Sequence, residues 1–426
     1  MTESIYFTLS IVIFVGVYVL IILDRFDRAV VALSGAMLMV LLRVLNQEDA
    51  FAAVDYNTIG LLVAMMIIVM IMRRTGVFGY LGIRMVKASK ANPFWLLILL
   101  CLTTGILSAF LDNVTTILLI LPVTLSVTDS LKLNPIPYII AAIFASNVGG
   151  TATLIGDPPN IMIGSQTGLD FVDFLINDAV IAFPTLFVTT FLFALIYKKS
   201  LVTEPELKKK VMELDEKTEI KDSKLLKKCL VVFGFVILGF LLHGLLHYES
   251  STIALTGAVV LLFVSGIDSE LVLIEVEWKT IFFFSGLFIL VGGIEETGVI
   301  AMLAEKVIDL TGGDLFLTAM AILWVSAIAS AFIDNIPFVA TMIPLILQMG
   351  DMSGINVFPL WWALSLGACL GGNGTAIGAS ANVVAIGIAD REGFHISFGY
   401  YFKIAFPVML VTIAISTVYI IFAYLL

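Results

Sequence analysis

The chain has 426 residues, of which 60% are hydrophobic and 13% charged, and its formal net charge is −10. So few polar groups could not cover the surface of a soluble protein of this size, which excludes the soluble classes. The fold class is therefore an all-α polytopic membrane protein, and its repeated apolar runs of about 17 to 25 residues are each long enough to cross a bilayer.

The first run, Ile5 to Leu23, lacks a basic leading segment. Asp24-Arg25-Phe26-Asp27-Arg28 behind it is no small-residue cleavage site, so the run reads as a span and not as a signal peptide. Spans follow at 29–45 and 57–73. Next comes a segment at 94–130 interrupted at Asp112-Asn113, a broken segment at 136–168, and a span at 176–197. Residues 198–228 hold ten lysines and seven acids and read as an aqueous, partly helical linker. Beyond it lie spans at 229–248, 252–267 and 279–294, an interrupted segment at 315–349, a broken one at 358–388, and a last span at 400–426. The domain reading is a first repeat, 1–197, the linker, 198–228, and a second repeat, 229–426. The acidic stretch from Glu295 to Glu305 reads as an interfacial arm, like Phe78 to Lys90.

Basic residues set the orientation. With the linker in the cytoplasm, 21 of the 23 basic residues fall inside, and only Arg43 and Lys306 fall outside. Both termini are then expected outside a multi-pass cell (inner) membrane protein.

The second half repeats the first at an offset near 222 residues. ALSGA at Ala32 matches ALTGA at Ala254, and Phe110, Asp112, Asn113 and Pro122 match Phe332, Asp334, Asn335 and Pro344. The GTA at Gly150 is matched to the GTA at Gly374, at offset 224, and Asn160 to Asn382. Each half has an odd number of crossings, so the halves face opposite ways. An inverted repeat with paired interruptions is the signature of a secondary transporter, not of an enzyme.

The interruptions hold the candidate site. FLDNVTTILLILP from Phe110 and FIDNIPFVATMIP from Phe332 each place an Asp-Asn pair midway along an apolar segment. The arms are either full crossings joined at a surface turn or a re-entrant hairpin. The small residues leading in (Thr103, Thr104, Gly105, Ser108; Ser326, Ser330) favour close packing within protein, and hence the hairpin. The glycine clusters in ASNVGGTATLIGDPPN and GACLGGNGTAIGASANVV unwind two further helices. Such freed backbone groups are tolerated in a membrane only where protein or a wet cavity satisfies them. Candidate substrate- and ion-binding residues are Asp112, Asn113, Thr115, Thr116, Asn147, Thr151, Asp157 and Asn160 in one half. In the other they are Asp334, Asn335, Asn373, Thr375, Ser380 and Asn382. Neither tip has a lysine or arginine nearby in sequence, so Asp112 and Asp334 are the expected proton carriers. The cysteines and histidines have no metal-ligand spacing, and no metal site is expected.

These motifs resemble the ion transporter superfamily of arsenite efflux pumps, one class of sodium–proton antiporters and the pink-eyed-dilution P protein. The wording is closest to the P-protein and arsenite-pump branch. The resemblance implies ten spanning helices plus two re-entrant hairpins, a scaffold–transport division and elevator-type movement, commonly in a homodimer. It also implies a soluble ATPase partner if the chain is an arsenite pump. Related divalent-anion/sodium symporters carry Ser-Asn-Thr where this chain has Asp112 or Asp334, and a carboxylate there repels a multiply charged anion. The expectation is arsenite or antimonite efflux by proton exchange, with no cofactor. The alternatives are a sodium–proton antiporter (coupling ion Na+ instead of H+) and an anion or carboxylate transporter or channel.

Overall fold

A computed structural model describes residues 2–23, 25–213 and 215–426. Asp24, in the segment read as no cleavage site, and Leu214, in the charged linker, lie outside the described residues, as does Met1. All regular structure among the described residues is helical.

The first half runs α1 (Thr2–Leu23), α2 (Arg28–Leu41), the short α3 (Gln47–Ala52), α4 (Tyr56–Arg73) and α5 (Val77–Ala88). Then come the hairpin arms α6 (Pro93–Ser108) and α7 (Asn113–Ser130), the broken pair α8 (Ile136–Gly150) and α9 (Pro158–Thr167), the short α10 (Phe171–Asn177), and α11 (Ala179–Ile196). The linker carries α12 (Pro205–Met212). The second half repeats the order. It runs α13 (Ser223–Leu246), α14 (Ser250–Ser265), α15 (Ser269–Leu273), α16 (Trp278–Glu296) and α17 (Val299–Thr311). The second hairpin is α18 (Leu315–Phe332) and α19 (Asn335–Ser353). The second broken pair is α20 (Phe358–Gly371) and α21 (Ser380–Arg391), and α22 (Phe398–Ile420) closes the chain.

Ten helices are long and apolar enough to cross a bilayer, and they include the hairpin arms Pro93–Phe110, Asn113–Ser130, Leu315–Phe332 and Asn335–Ser353. The arms do not cross. Asp112 and Asp334 end their hairpins in the protein interior, 6% and 4% exposed. The remaining traverses are made by shorter helices, Arg28–Leu41 and Ser250–Ser265, and by the two broken pairs. The fold is thus two inverted repeats, with the re-entrant reading of both Asp-Asn segments correct.

Packing exchanges partners between the repeats. α2 lies along α16, and α4 along α14, so each repeat completes the other's framework. Within each repeat the hairpin packs on the first half of the broken helix, α6 on α8 and α18 on α20. Between repeats α7 meets α21, and α19 meets α9. The close fit of α6 on α8 rests on glycine. A Cβ on Gly149 would collide with the backbone of Gly105, and one on Gly371 with the backbone of Ala327.

One register at the breaks needs correction. The structure aligns them at 222, not at the 224 of the GTA match. Thr153 Oγ1 donates to the hairpin carbonyl of Ala109, and Thr375 Oγ1 donates to that of Ala331. The hydroxyl-to-hairpin bond fixes the alignment, and the GTA letters do not.

The linker returns to the first repeat. Glu216 pairs with Lys87 and Arg84 of α5, and Lys221 N donates to Thr75 O at 2.9 Å. The hydrogen bond from Lys87 holds the Glu216 carboxyl down at about 2.

Replacement of Gly149 tests the close fit. Gly149→Ala should lower the melting temperature of the detergent-solubilised protein, since overpacking a tight contact costs ~1–3 kcal/mol. Gly16→Ala, with nothing within 4 Å of the added carbon, should leave it unchanged. Equal melting temperatures for both variants would refute the packing argument.

Candidate functional site

Both hairpin tips are built as helix N-caps. Asp112 precedes α7 and accepts from Thr115 N at 2.8 Å and from the Thr115 hydroxyl. Asp334 precedes α19 and accepts from Ile336 N at 3.2 Å. An N-cap carboxylate satisfies amides that otherwise have no partner at a helix start. The sequence therefore turns at these acids for a local reason, and the repeat places the two turns back to back.

Each break is held open by one asparagine. Asn160 Nδ2 donates to Thr151 O at 3.1 Å and to Thr153 O at 3.0 Å. Asn382 Nδ2 donates to Gly372 O and Thr375 O, both at 2.8 Å. Thr151 and Thr375 spend their hydroxyls on backbone carbonyls, those of Asn147 and Ala331. They brace the site and do not point a donor into it. Their partner Thr153, outside the expected set, does the same work for the first hairpin.

The tips and breaks meet in one buried layer. Asn113 Nδ2 donates to Asn147 Oδ1 at 3.1 Å. Asn147 Nδ2 in turn reaches across the pseudo-twofold to Asn373 Oδ1 at 3.0 Å and Asn382 Oδ1 at 2.9 Å. On the other side Asn335 Nδ2 lies 3.3 Å from Asp157 Oδ1, and Ser380 Oγ donates to Asp334 Oδ2 at 2.7 Å. Asn113 Oδ1, Thr116 Oγ1 and Asn373 Nδ2 are buried polar atoms with no protein partner. Native interiors seldom leave such atoms unpaired without a reason, and these are the groups a polar solute or ion can engage. Thus Asp112, Asn113, Thr115, Thr116, Asn147, Asp157, Asn160, Asp334, Asn335, Asn373, Ser380 and Asn382 come together.

The two tips differ in charge. Arg28, at the start of α2, pairs with Asp334 at 2.9 Å. The expectation that both tip acids stand without a cation therefore holds in sequence but fails in space for Asp334. Asp112 has no such partner among the described residues. Its pseudo-symmetry mate for the cation is Ser250, and Asp157 is matched by Ala379, so acid and base are distributed unequally over an otherwise paired frame.

A cavity of about 440 Å³ reaches Asp112, Pro158, Ile336 and Ser380 from the side that bears Asp27, Arg28, Glu277 and Lys279. Lys279 is paired with Asp27 at 2.7 Å, whereas Glu277 accepts only from Thr280. A second cavity of about 420 Å³ opens opposite and stops short of the tips, against Asp55, Ser165 and Gln166. There Asp55 accepts from Ser165 Oγ at 2.8 Å and from Gln166 Nε2 at 3.3 Å, tying α4 to the far end of α9. Sequence reasoning missed Arg28, Asp55 and Glu277. They sit at helix starts in polar loops, where an ionic residue is unremarkable. Cys369 is fully buried with its sulfur 3.5 Å from Asn160 Oδ1.

Comparison with known proteins agrees with this architecture. Residues 18–367 match the citrate transporter family, CitMHS. An uncharacterized transporter of Mycobacterium tuberculosis (strain ATCC 25618 / H37Rv) is 45% identical over 96% of this chain and 97% of its own length. The 46 kDa membrane protein of Mycobacterium leprae (strain TN) is 43% identical over 98% and 99%. The P protein of Homo sapiens is 35% identical over 98% of this chain, which spans 60% of that longer protein. Among solved structures, the Alcanivorax borkumensis YdaH transporter superposes with a TM-score of 0.60 at 16% identity, covering 88% of this chain and 86% of its own. That likeness concerns the fold. A family match over most of the chain, together with paired hairpins and breaks, makes this a membrane transporter, and the chain belongs to the citrate transporter family.

Proposed function

We propose that the chain is a proton-coupled secondary carrier working by alternating access, and that its first cargo class is the neutral hydroxide of trivalent arsenic or antimony. The observation that carries this reading is the central layer itself. Amide-bearing asparagines from both repeats meet there, with Asp112 and Asp157 beside them and no cation paired to either among the described residues. A neutral polyhydroxylated solute is matched by such amides through hydrogen bonds, and exchange for protons on the carboxylates leaves the layer's charge balanced. The proposed proton carriers remain Asp112 and Asp334, with Asp334 free to act only after Arg28 has moved away.

The asymmetry of the cavities supports alternating access. One cavity reaches the tips, while the other is stopped by the Asp55–Ser165 contact. With the linker side cytoplasmic, this is an inward-facing state. Opening the other way requires the cavity on the Arg28 side to close and the Asp55 contacts to break. Movement of the hairpin and broken-helix core against the framework of α2, α4, α14 and α16 would do both.

A carboxylate such as citrate is the second reading. It is favoured by Arg28 and Lys279 in the open cavity, where an anion could take either cation from its acid partner, and by the family's description.

Proteoliposomes with an imposed proton gradient separate the two readings. Arsenite should dissipate the gradient and be accumulated against its own, while citrate should do neither. The converse result selects the carboxylate, and movement of neither solute removes both. Asp112→Asn should reduce solute-coupled proton movement by roughly 5- to 150-fold, the span of a ~1–3 kcal/mol coupling energy. Coupling at the wild-type rate would remove Asp112 from the proton path.

The Arg28 pair has its own test. Asp334 is 2% exposed at its side chain and Arg28 22%. Breaking a buried pair from one side leaves an uncompensated charge, at a cost of ~3 kcal/mol for a pair this partly exposed. Arg28→Ala should therefore lower the melting temperature, and Arg28→Ala with Asp334→Asn should recover most of the loss. A double variant no more stable than the single one would show that the pair does not act as a unit.

A further inference from the structure

We infer that Asp178 is a proton-binding site of the chain, distinct from the hairpin-tip acids, in which the acid's proton is held against Ser365 and linked through it to the first break at Asn160. Asp178 stands at the start of α11 and is fully buried. It lies outside the layer of tips and breaks, and the transport reading above makes no use of it.

The argument is a count of hydrogens. Asn160 Nδ2 is committed to two backbone carbonyls, Thr151 O and Thr153 O, so its Oδ1 is fixed as an acceptor. Ser365 Oγ lies 2.7 Å from that Oδ1 and 2.5 Å from Asp178 Oδ2. A serine hydroxyl has one hydrogen to donate. One hydrogen cannot occupy two contacts this short, because a shared hydrogen lengthens at least one of them. Ser365 donates to Asn160 Oδ1, and the second hydrogen belongs to Asp178, whose carboxylic O–H donates to Ser365 Oγ. Asp178 Oδ1 is buried and has no partner, which an ionised carboxylate tolerates far less well than the carbonyl oxygen of a neutral acid.

The surroundings supply no competing charge. Among the described residues the titratable groups facing Asp178 are Cys369 of α20, Tyr419 at the end of α22 and Tyr424 just beyond it. The two tyrosine hydroxyls are spent on Asn177, at its carbonyl oxygen (2.6 Å) and its Oδ1 (2.5 Å). Among the described residues no lysine, arginine or histidine pairs with Asp178.

Release of the proton has a defined structural consequence. The carboxylic O–H breaks and the proton passes to water. Ser365 then turns its hydroxyl hydrogen from Asn160 Oδ1 to the new carboxylate. Asn160 loses its strongest Oδ1 donor and keeps only the Cys369 thiol at 3.5 Å. The asparagine that pins the first break thus senses the protonation state of Asp178. Only this last link, from proton to transport, rests on the carrier reading.

Infrared difference spectroscopy of the purified protein tests the site without any solute, so its failure is separate from a failure of the carrier reading. The wild-type spectrum at neutral pH should contain a protonated-carboxyl C=O band that is lost in Asp178→Asn, whose amide still donates to Ser365. In Ser365→Ala, which keeps the acid but removes its acceptor, the same band should move to the higher frequency of a less hydrogen-bonded acid. An Asp178→Asn protein whose carboxyl bands equal those of the wild type would overturn the assignment. If that variant does not fold, an unshifted band in folded Ser365→Ala would overturn it equally.

Discussion

Everything in this fold depends on satisfying the backbone that the broken helices leave bare. A helix interrupted inside a membrane exposes carbonyls and amides that neither lipid nor a neighbouring turn can partner. Each such group left buried and unpaired costs ~1–3 kcal/mol. Asn160 and Asn382 meet that demand at the two breaks with two backbone bonds each, sharing the matched bond to Thr153 O or Thr375 O. Thr153 and Thr375 then fasten each break to its own hairpin. The hairpins need this contact in return. Their last carbonyls, those of Ala109 and Ala331, would otherwise end in the interior without donors. Break and hairpin are therefore one structural unit, and the pair of units sets where a solute can sit.

That mutual dependence explains what was legible in the sequence. The threonine at a break must keep its spacing to the tip, because one hydrogen bond joins it to the hairpin carbonyl of Ala109 or Ala331, just ahead of the acid. The register of 222 residues survives through Asp112 and Asp334, Thr153 and Thr375, Asn160 and Asn382. The alternative alignment of the two GTA triplets failed because identity of letters is weaker than identity of bonding. Arg28 was not legible for the opposite reason. It pairs with an acid 306 positions away, and in its own neighbourhood it is one basic residue in a polar loop. Asp178 was hidden by its place at the end of an apolar run. An acid there ordinarily reaches water, and here Ser365 from α20 meets it in the interior.

The departures from pseudo-symmetry carry the functional information. The repeated frame positions two tips and two breaks alike, yet it gives Arg28 to one tip only and Asp157 to one break only. A symmetric set of charges would make the two faces of the layer energetically equivalent and would leave coupling to chance. Here the framework helix α2 contributes a cation to a tip in the core, so that moving the core changes the electrostatic environment of Asp334. In a low-dielectric interior a charge pair at this distance is far stronger than in water. On the proposed proton-coupled reading, the pair supplies the link between position and charge that coupling requires.

The same logic bears on the choice of cargo. A carboxylate at each tip disfavours a multiply charged anion as long as both acids are ionised, and this is why the sequence points to a neutral hydroxide. Arg28 weakens that argument at one tip, because an Asp334 already matched by a guanidinium no longer repels. The argument is stronger at the other tip, where Asp112 and Glu277 line the same cavity and neither has a cationic partner among the described residues. The same cavity also bears Arg28 and Lys279, so a solute entering from this side meets both signs of charge before it meets the asparagine layer. On the carrier reading proposed above, selection between a neutral hydroxide and an ionised acid falls to this entrance of mixed charge more than to the amides at the centre, which would accept either class.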